Sequence, residues 1–167
     1  METLPLAVSL LQLSIWVHVT AVVVGLGMTF AEALLFPVAM KMNPRHLPFV
    51  HRLQLTINQY VANPALLLIV ATGIYQVSEM GWSFGAFWIS ASFVIVIILG
   101  GLNGAYFIPS DRKLEAMLNS EIEAAGDGPF TPSEEYLNKA KVQGMLGPVM
   151  GILIVLAIYL MVVKPGA

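Results

Sequence analysis

His18, Glu32, His51 and Asn58 stand out in this sequence because each lies in or beside a long apolar run, where a polar side chain is expensive. An ionisable group inside a membrane defaults to a functional reading. His18 falls near the middle of the first run, and neutral imidazole is a common axial ligand of haem iron. His18 is therefore expected to bind haem b, with a satisfied core histidine as the alternative. His51 lies near the opposite membrane face, ~20 Å away along the normal at 1.5 Å per residue, too far to share one iron with His18. Met161, on the last run at comparable depth, is the thioether that could oppose His18, unless it simply faces lipid. Glu32, His51, Arg52 and Asn58, with Lys41 nearby, form a second expected cluster, either a site or an ion-paired rim.

Other chemistries find no residues. The chain has no cysteine, so thiolate metal sites, iron–sulfur ligation and disulfides are excluded. It carries no Ser/His/Asp arrangement, no phosphate-cradling glycine loop and no His/Glu pattern at metal spacing, which leaves hydrolase and kinase chemistry without support; whether it is an enzyme at all stays open. A net charge of −2 argues against nucleic acid as a partner.

The elements that position these residues follow from composition. Of 167 residues, 57% are hydrophobic and 11% charged, against about 25% charged in a soluble domain, so most of the surface must face lipid. Four apolar stretches approach the ~20 residues that span a bilayer as helix. The expected fold is all-α: a four-helix antiparallel transmembrane bundle with helices near 6–40, 53–77, 84–108 and 132–163, forming a single domain over residues 1–167. Residues 1–12 contain no Lys or Arg, so the first run is expected to be a retained helix rather than a signal peptide. Asn43-Pro44 is suited to cap the second helix. Segment 109–143 is expected to be cytoplasmic, with an amphipathic helix over 111–125. A Gly126-Asp127-Gly128-Pro129 turn follows, then a capping box at Thr131-Pro132-Ser133-Glu134.

On a 100° wheel Ser14, His18, Gly25, Thr29 and Glu32 lie within about 40° of one line. His51, Gln54, Asn58, Thr72 and Gln76 form a matching stripe on the second helix. The two stripes should face each other inside the bundle, as packing glue or as a site. Pro64 at the centre of the second helix should kink it and leave the Tyr60 carbonyl without its helical partner. Trp82, Trp88 and Tyr106 suit interfacial belts.

The run Trp16-Val17-His18-Val19 with Gly25 and Gly27, and Asn63-Pro64-Ala65 with Thr72-Gly73, resemble a group of small bacterial four-helix membrane proteins. That group includes the copper-resistance D-type proteins, the cytochrome-b-like proteins and the HemJ-type protoporphyrinogen oxidases. The ending Leu160-Met161-Val162-Val163-Lys164-Pro165 is similar to a narrower family of integral membrane proteins of unknown function. The resemblance implies a haem- or porphyrin-associated bundle with His18 as iron ligand. It departs from the HemJ type at Leu35-Phe36-Pro37-Val38, where those enzymes carry Leu-Pro-Arg. It departs from the copper-resistance type in having no Met-rich or multi-His outer loop.

Three functions are compatible with this sequence. They are b-type haem electron transfer or redox sensing, a non-enzymatic accessory or assembly subunit of a larger membrane complex, and a small-solute or ion permease. The expected surroundings are the lipid bilayer of a bacterial inner membrane, with the chain a homodimer or part of a larger complex. Orientation follows from the positive-inside rule: Lys41, Arg45, Arg52, Arg112, Lys113, Lys139 and Lys141 lie in two connections, and Lys164 alone lies on the other side. Both termini are then outside. A single cysteine replacing Asp127 in this cysteine-free chain should react with an impermeant maleimide only after the cells are opened. Labelling in intact cells would invert the topology.

Overall fold

A backbone surrounded by hydrocarbon must pair its own N–H and C=O groups, and the four apolar runs do so as helices. The computed structural model describes residues 8–166, with the backbone alone at Ala33 and Phe36. The helices are α1 (Leu10–Met40), α2 (Pro44–Glu79), α3 (Phe87–Ala125) and α4 (Glu134–Val163), each long and apolar enough to cross a membrane. There is no strand among the described residues. The expected start of the first helix at residue 6 lies outside the described residues; Ser9 caps α1 in a reciprocal pair with Gln12. Packing runs α1 on α2, α2 on α3, α3 on α4 and α4 back onto α1, closing a four-membered ring.

Each helix turns a spaced set of residues inward. On α4 the buried set Tyr136, Ala140, Gln143, Met150, Ile154 and Ala157 recurs at alternating steps of three and four once Gly147 is included. That is the seam of a left-handed bundle. The opposite faces carry Val23, Leu67, Ile97, Ile152 and Val162, all widely exposed in the isolated chain and suited to lipid. The deep core gathers Ile69, Trp88, Ile89, Leu99 and Ile154. A second cluster at the charged end packs Leu47 and Val50 against Leu114, Leu118 and Tyr136.

Three boundaries differ from expectation for physical reasons. Segment 108–125 continues α3 without a break, because Leu114 and Leu118 extend its buried face against α2. α2 begins at Pro44 rather than near residue 53, and Asn43 caps it as the sequence suggested, its Oδ1 accepting the Arg45 N–H at 3.0 Å. The cap of α4 is Ser133 rather than Thr131: its Oγ accepts the Tyr136 N–H, and its own N–H and hydroxyl donate to Glu121. The turn before it is held by Arg45, which donates to the carbonyls of Gly126 and Gly128 at 2.6 and 2.7 Å. At the other end Trp88 is buried and meets Trp82 edge-on at 5.0 Å, with the Lys164 ammonium 4.3 Å from the Trp82 ring. These tryptophans plug the bundle end, where the sequence suggested an outward-facing belt.

α1, α2 and α3 each contain one π-helical turn, at Val22–Leu26, Asn58–Ala62 and Asn103–Phe107. The second and third lie just ahead of Pro64 and Pro109. Proline supplies no N–H and crowds the preceding turn, and the wider turn absorbs that misfit: Asn63 and Ile108 donate five residues back, to the Asn58 and Asn103 carbonyls. A π-helical turn thus precedes Pro64, where the sequence suggested a disturbed helix.

Gly25 lies directly on Ala65, and a Cβ built on Gly25 would sit 2.2 Å from the Ala65 Cβ; at Gly27 it would meet nothing within 4 Å. Gly25→Ala should therefore force α1 and α2 apart at a cost of about 1–3 kcal/mol, while Gly27→Ala should be neutral. Thermal melts of the two variants in one mild detergent check this; equal midpoints would refute the close contact.

Candidate functional site

The polar stripes of α1 and α2 face each other along their length. Gln76 donates to the Ser14 backbone carbonyl and hydroxyl, both at 3.2 Å. His18 Nδ1 lies 2.8 Å from Thr72 Oγ1, and the Asn58 amide hydrogen-bonds Glu32. The stripe divides into two sites, one toward each end of the bundle.

The outer site surrounds His18. The Thr72 hydroxyl donates to the Leu68 carbonyl, so its oxygen accepts from His18 Nδ1–H. In a neutral imidazole that assigns the lone pair to Nε2. The ring's neighbourhood is tight: a cavity of about 40 Å³ is bounded by His18, Gly73, Trp88, Phe93 and Met161. The sequence expectation placed Met161 within about two helical turns of His18 in depth, and both line this cavity. The space suits a water molecule, whose share of liquid volume is about 30 Å³. A haem enclosed within the single chain does not fit it.

The inner site is larger and was only partly foreseen. A cavity of about 280 Å³ lies toward the charged end, bounded by Glu32 from α1, His51, Gln54 and Asn58 from α2, Asn103 and Asp111 from α3, and Gln143 from α4. Of the expected cluster, Glu32, His51 and Asn58 are brought together. Arg52 is not: it points outward, and its Nε donates to Glu115 at 2.9 Å. All three π-helical turns touch this cavity, through Leu26, Asn58, Ala62, Asn103 and Phe107. Such turns occur frequently at functional sites. Pro148 on α4 also lines it; without an N–H at that position the Gly144 carbonyl lacks its helical donor.

Asp111 is the centre of the network. It is fully buried, and its Oδ1 accepts from His51 Nδ1 at 3.0 Å and Gln143 Nε2 at 2.6 Å. The Tyr136 hydroxyl lies 2.9 Å from His51 Nε2. Ser110 in turn donates to Gln143 Oε1 at 3.2 Å, and Asn103 donates to Asn63 Oδ1 at 2.8 Å. Three acceptors remain without a hydrogen bond: Glu32 Oε1, Gln54 Oε1 and Asp111 Oδ2. All three belong to residues that line the cavity. No group of three His, Cys, Asp or Glu among the described residues is arranged to hold a metal ion.

Asp111, Asn103, Gln143 and Tyr136 escaped the sequence reading. The signal that could have found three of them is spacing: Asn103, Phe107 and Asp111 follow Leu99 at steps of four, and Gln143 lies seven residues after Tyr136.

These features define a polytopic α-helical membrane protein with a polar chamber between its four helices. Over residues 12–165 the chain matches the model of a family described as predicted integral membrane proteins, DUF2269, and it belongs to that family. No curated protein and no solved structure is detectably similar to it.

The two carboxylates of the chamber should behave oppositely. Asp111→Ala removes the acceptor shared by two donors in a buried network and should destabilise the fold by about 3–5 kcal/mol. Glu32→Gln keeps shape and an acceptor for Asn58 and should leave the melting temperature unchanged or raised. Melts in detergent would contradict this if Glu32→Gln proved the more damaging.

Proposed function

We propose that the chain is a membrane-embedded binding protein for a small organic cation, working as a solute permease or its binding component, with the charged end in the cytoplasm. One observation carries this reading: Glu32 Oε1, Gln54 Oε1 and Asp111 Oδ2 are buried, unpartnered and arranged around one chamber. A buried acceptor without a donor costs free energy comparable to a lost hydrogen bond, and more when charged. The missing partner must bring N–H or O–H groups and, facing two carboxylates with no Lys or Arg in the lining, a positive charge. An ammonium group meets both needs.

In ligand binding the residues divide into holders and aligners. Glu32 and Asp111 supply carboxyl oxygens, and Gln54 supplies an amide acceptor. His51, itself held by Tyr136, and Gln143 fix the Asp111 carboxylate through Oδ1. Asn58 does the same for Glu32.

Ethylamine titrated into protein in phosphatidylcholine nanodiscs should bind saturably. Binding should weaken at least tenfold in Glu32→Gln and stay within twofold of wild type in His18→Ala, which alters the separate outer site. No saturable binding in wild type, which would mean a chamber holding only water, would end this reading.

A second reading is favoured by the anchored His18 ring with its basic Nε2: haem b held between the His18 residues of two chains, which share one depth by symmetry. Protein made with haem supply intact should then show a Soret band that His18→Ala abolishes. A haem-free preparation would end it.

A further inference from the structure

The chamber and a groove on the outside of the bundle share part of one wall. Thr29 on α1 and Gly147 and Pro148 on α4 line the inner chamber, and the same three residues border an open groove of about 620 Å³ on the outside of the bundle. The groove runs between α1 and α4 and is otherwise walled by Phe30, Gly151, Ile152, Val155, Leu156 and Tyr159. Phe30, Ile152, Val155 and Tyr159 are broadly exposed in the isolated chain, so in a bilayer this groove faces acyl chains. From Gly147 to Tyr159 it follows α4 for about 18 Å at 1.5 Å per residue. The window itself is cut by small residues: a Cβ added to Gly147 would meet nothing within 4 Å. At one end of an apolar channel thus stand two buried, unpartnered carboxylate oxygens, Glu32 Oε1 and Asp111 Oδ2.

We propose that the ligand of this chamber is a single-chain amphiphilic amine that enters sideways from the bilayer, its ammonium head between Glu32 and Asp111 and its alkyl tail in the groove between α1 and α4. This rests on the cation-binding reading of the chamber and specifies the ligand. Charge complementarity selects the head, because the lining holds two carboxylates and no Lys or Arg. The same lining disfavours a phospholipid, whose phosphate would be brought toward those carboxylates without a counter-charge. The wall that chamber and groove share at Thr29, Gly147 and Pro148, with open space beside Gly147, selects the tail. An alkyl chain gains little by leaving lipid for an equally apolar groove, so the head supplies the specificity and the bilayer supplies a concentrated pool of ligand.

The test compares dodecylamine with ethylamine on protein in phosphatidylcholine nanodiscs. In wild type both should bind saturably, dodecylamine at an aqueous concentration at least tenfold lower. Gly151→Leu places a side chain in the groove beside Phe30 and outside the chamber; it should raise the dodecylamine half-saturation at least tenfold and leave ethylamine within twofold. Retained ethylamine binding certifies that this variant is folded. Dodecylamine carrying a diazirine at its tail end should, in the wild-type protein, form adducts on Phe30 or on α4 residues 151–159. That result is independent of any substitution. If Gly151→Leu binds dodecylamine as wild type does, or if adducts spread evenly to Val23, Ile97 and Val162, the lateral-entry proposal is wrong while the chamber reading survives. If neither amine binds the wild type, both fall together. Phosphatidylethanolamine in the nanodisc competing as well as dodecylamine would overturn the assignment of a phosphate-free head.

Discussion

The Asp111 carboxylate is the tie that holds three of the four helices in register. It is fully buried on α3 and takes hydrogen bonds from His51 of α2 and Gln143 of α4. A charged group in such a place is tolerable only when donors surround it, so its position dictates theirs. His51 must turn inward, which sets the face of α2 and brings Gln54 and Asn58 to the same wall. Gln143 must turn inward, which sets the face of α4 and leaves Gly147 and Pro148 beside the chamber. Tyr136 then reaches His51 from below and closes the charged end over Leu47, Leu114 and Leu118.

Against this tightly paired end, the chamber is left underfilled. The helices do not close on one another at Glu32, although elsewhere the bundle shows contacts as near as Gly25 on Ala65. Wide turns and prolines surround the space, so backbone geometry holds it open, and the polar walls would gain from an occupant that brings donors. The outer site shows the reverse balance. There the His18 ring, Trp88, Phe93 and Met161 leave little space, and Thr72 holds the imidazole through Nδ1.

Much of this arrangement was legible in the sequence because a bilayer imposes simple rules. Apolar length gave four helices, and the 3.6-residue period placed the α1 and α2 stripes face to face, as the His18–Thr72 and Gln76–Ser14 contacts show. Glu32, His51 and Asn58 were recognisable because each stands out against an apolar background. Asp111 was not, since it opens a run rich in Arg, Lys and Glu that reads as a solvated surface; only the continuation of α3 buries it. Arg52 misled for the complementary reason. It adjoins His51 in sequence, yet adjacent residues on a helix point about 100° apart, and its side chain leaves for Glu115. The wide turns were illegible as well, because proline signals a disturbed helix without saying how the disturbance is absorbed.

Those turns make the upper and lower halves of each of the first three helices separately adjustable. A π-helical turn amounts to one surplus residue in an α-helix, and one residue is about 100° of rotation. Everything on the charged side of Val22–Leu26, Asn58–Ala62 and Asn103–Phe107 is therefore out of phase with the side that carries His18 and Ser92. The bundle behaves like two short barrels joined by three couplings, each geared one notch ahead. The outer histidine and the inner carboxylates can then be aimed by different rules within one continuous set of helices, so a change that re-aims one barrel need not disturb the other.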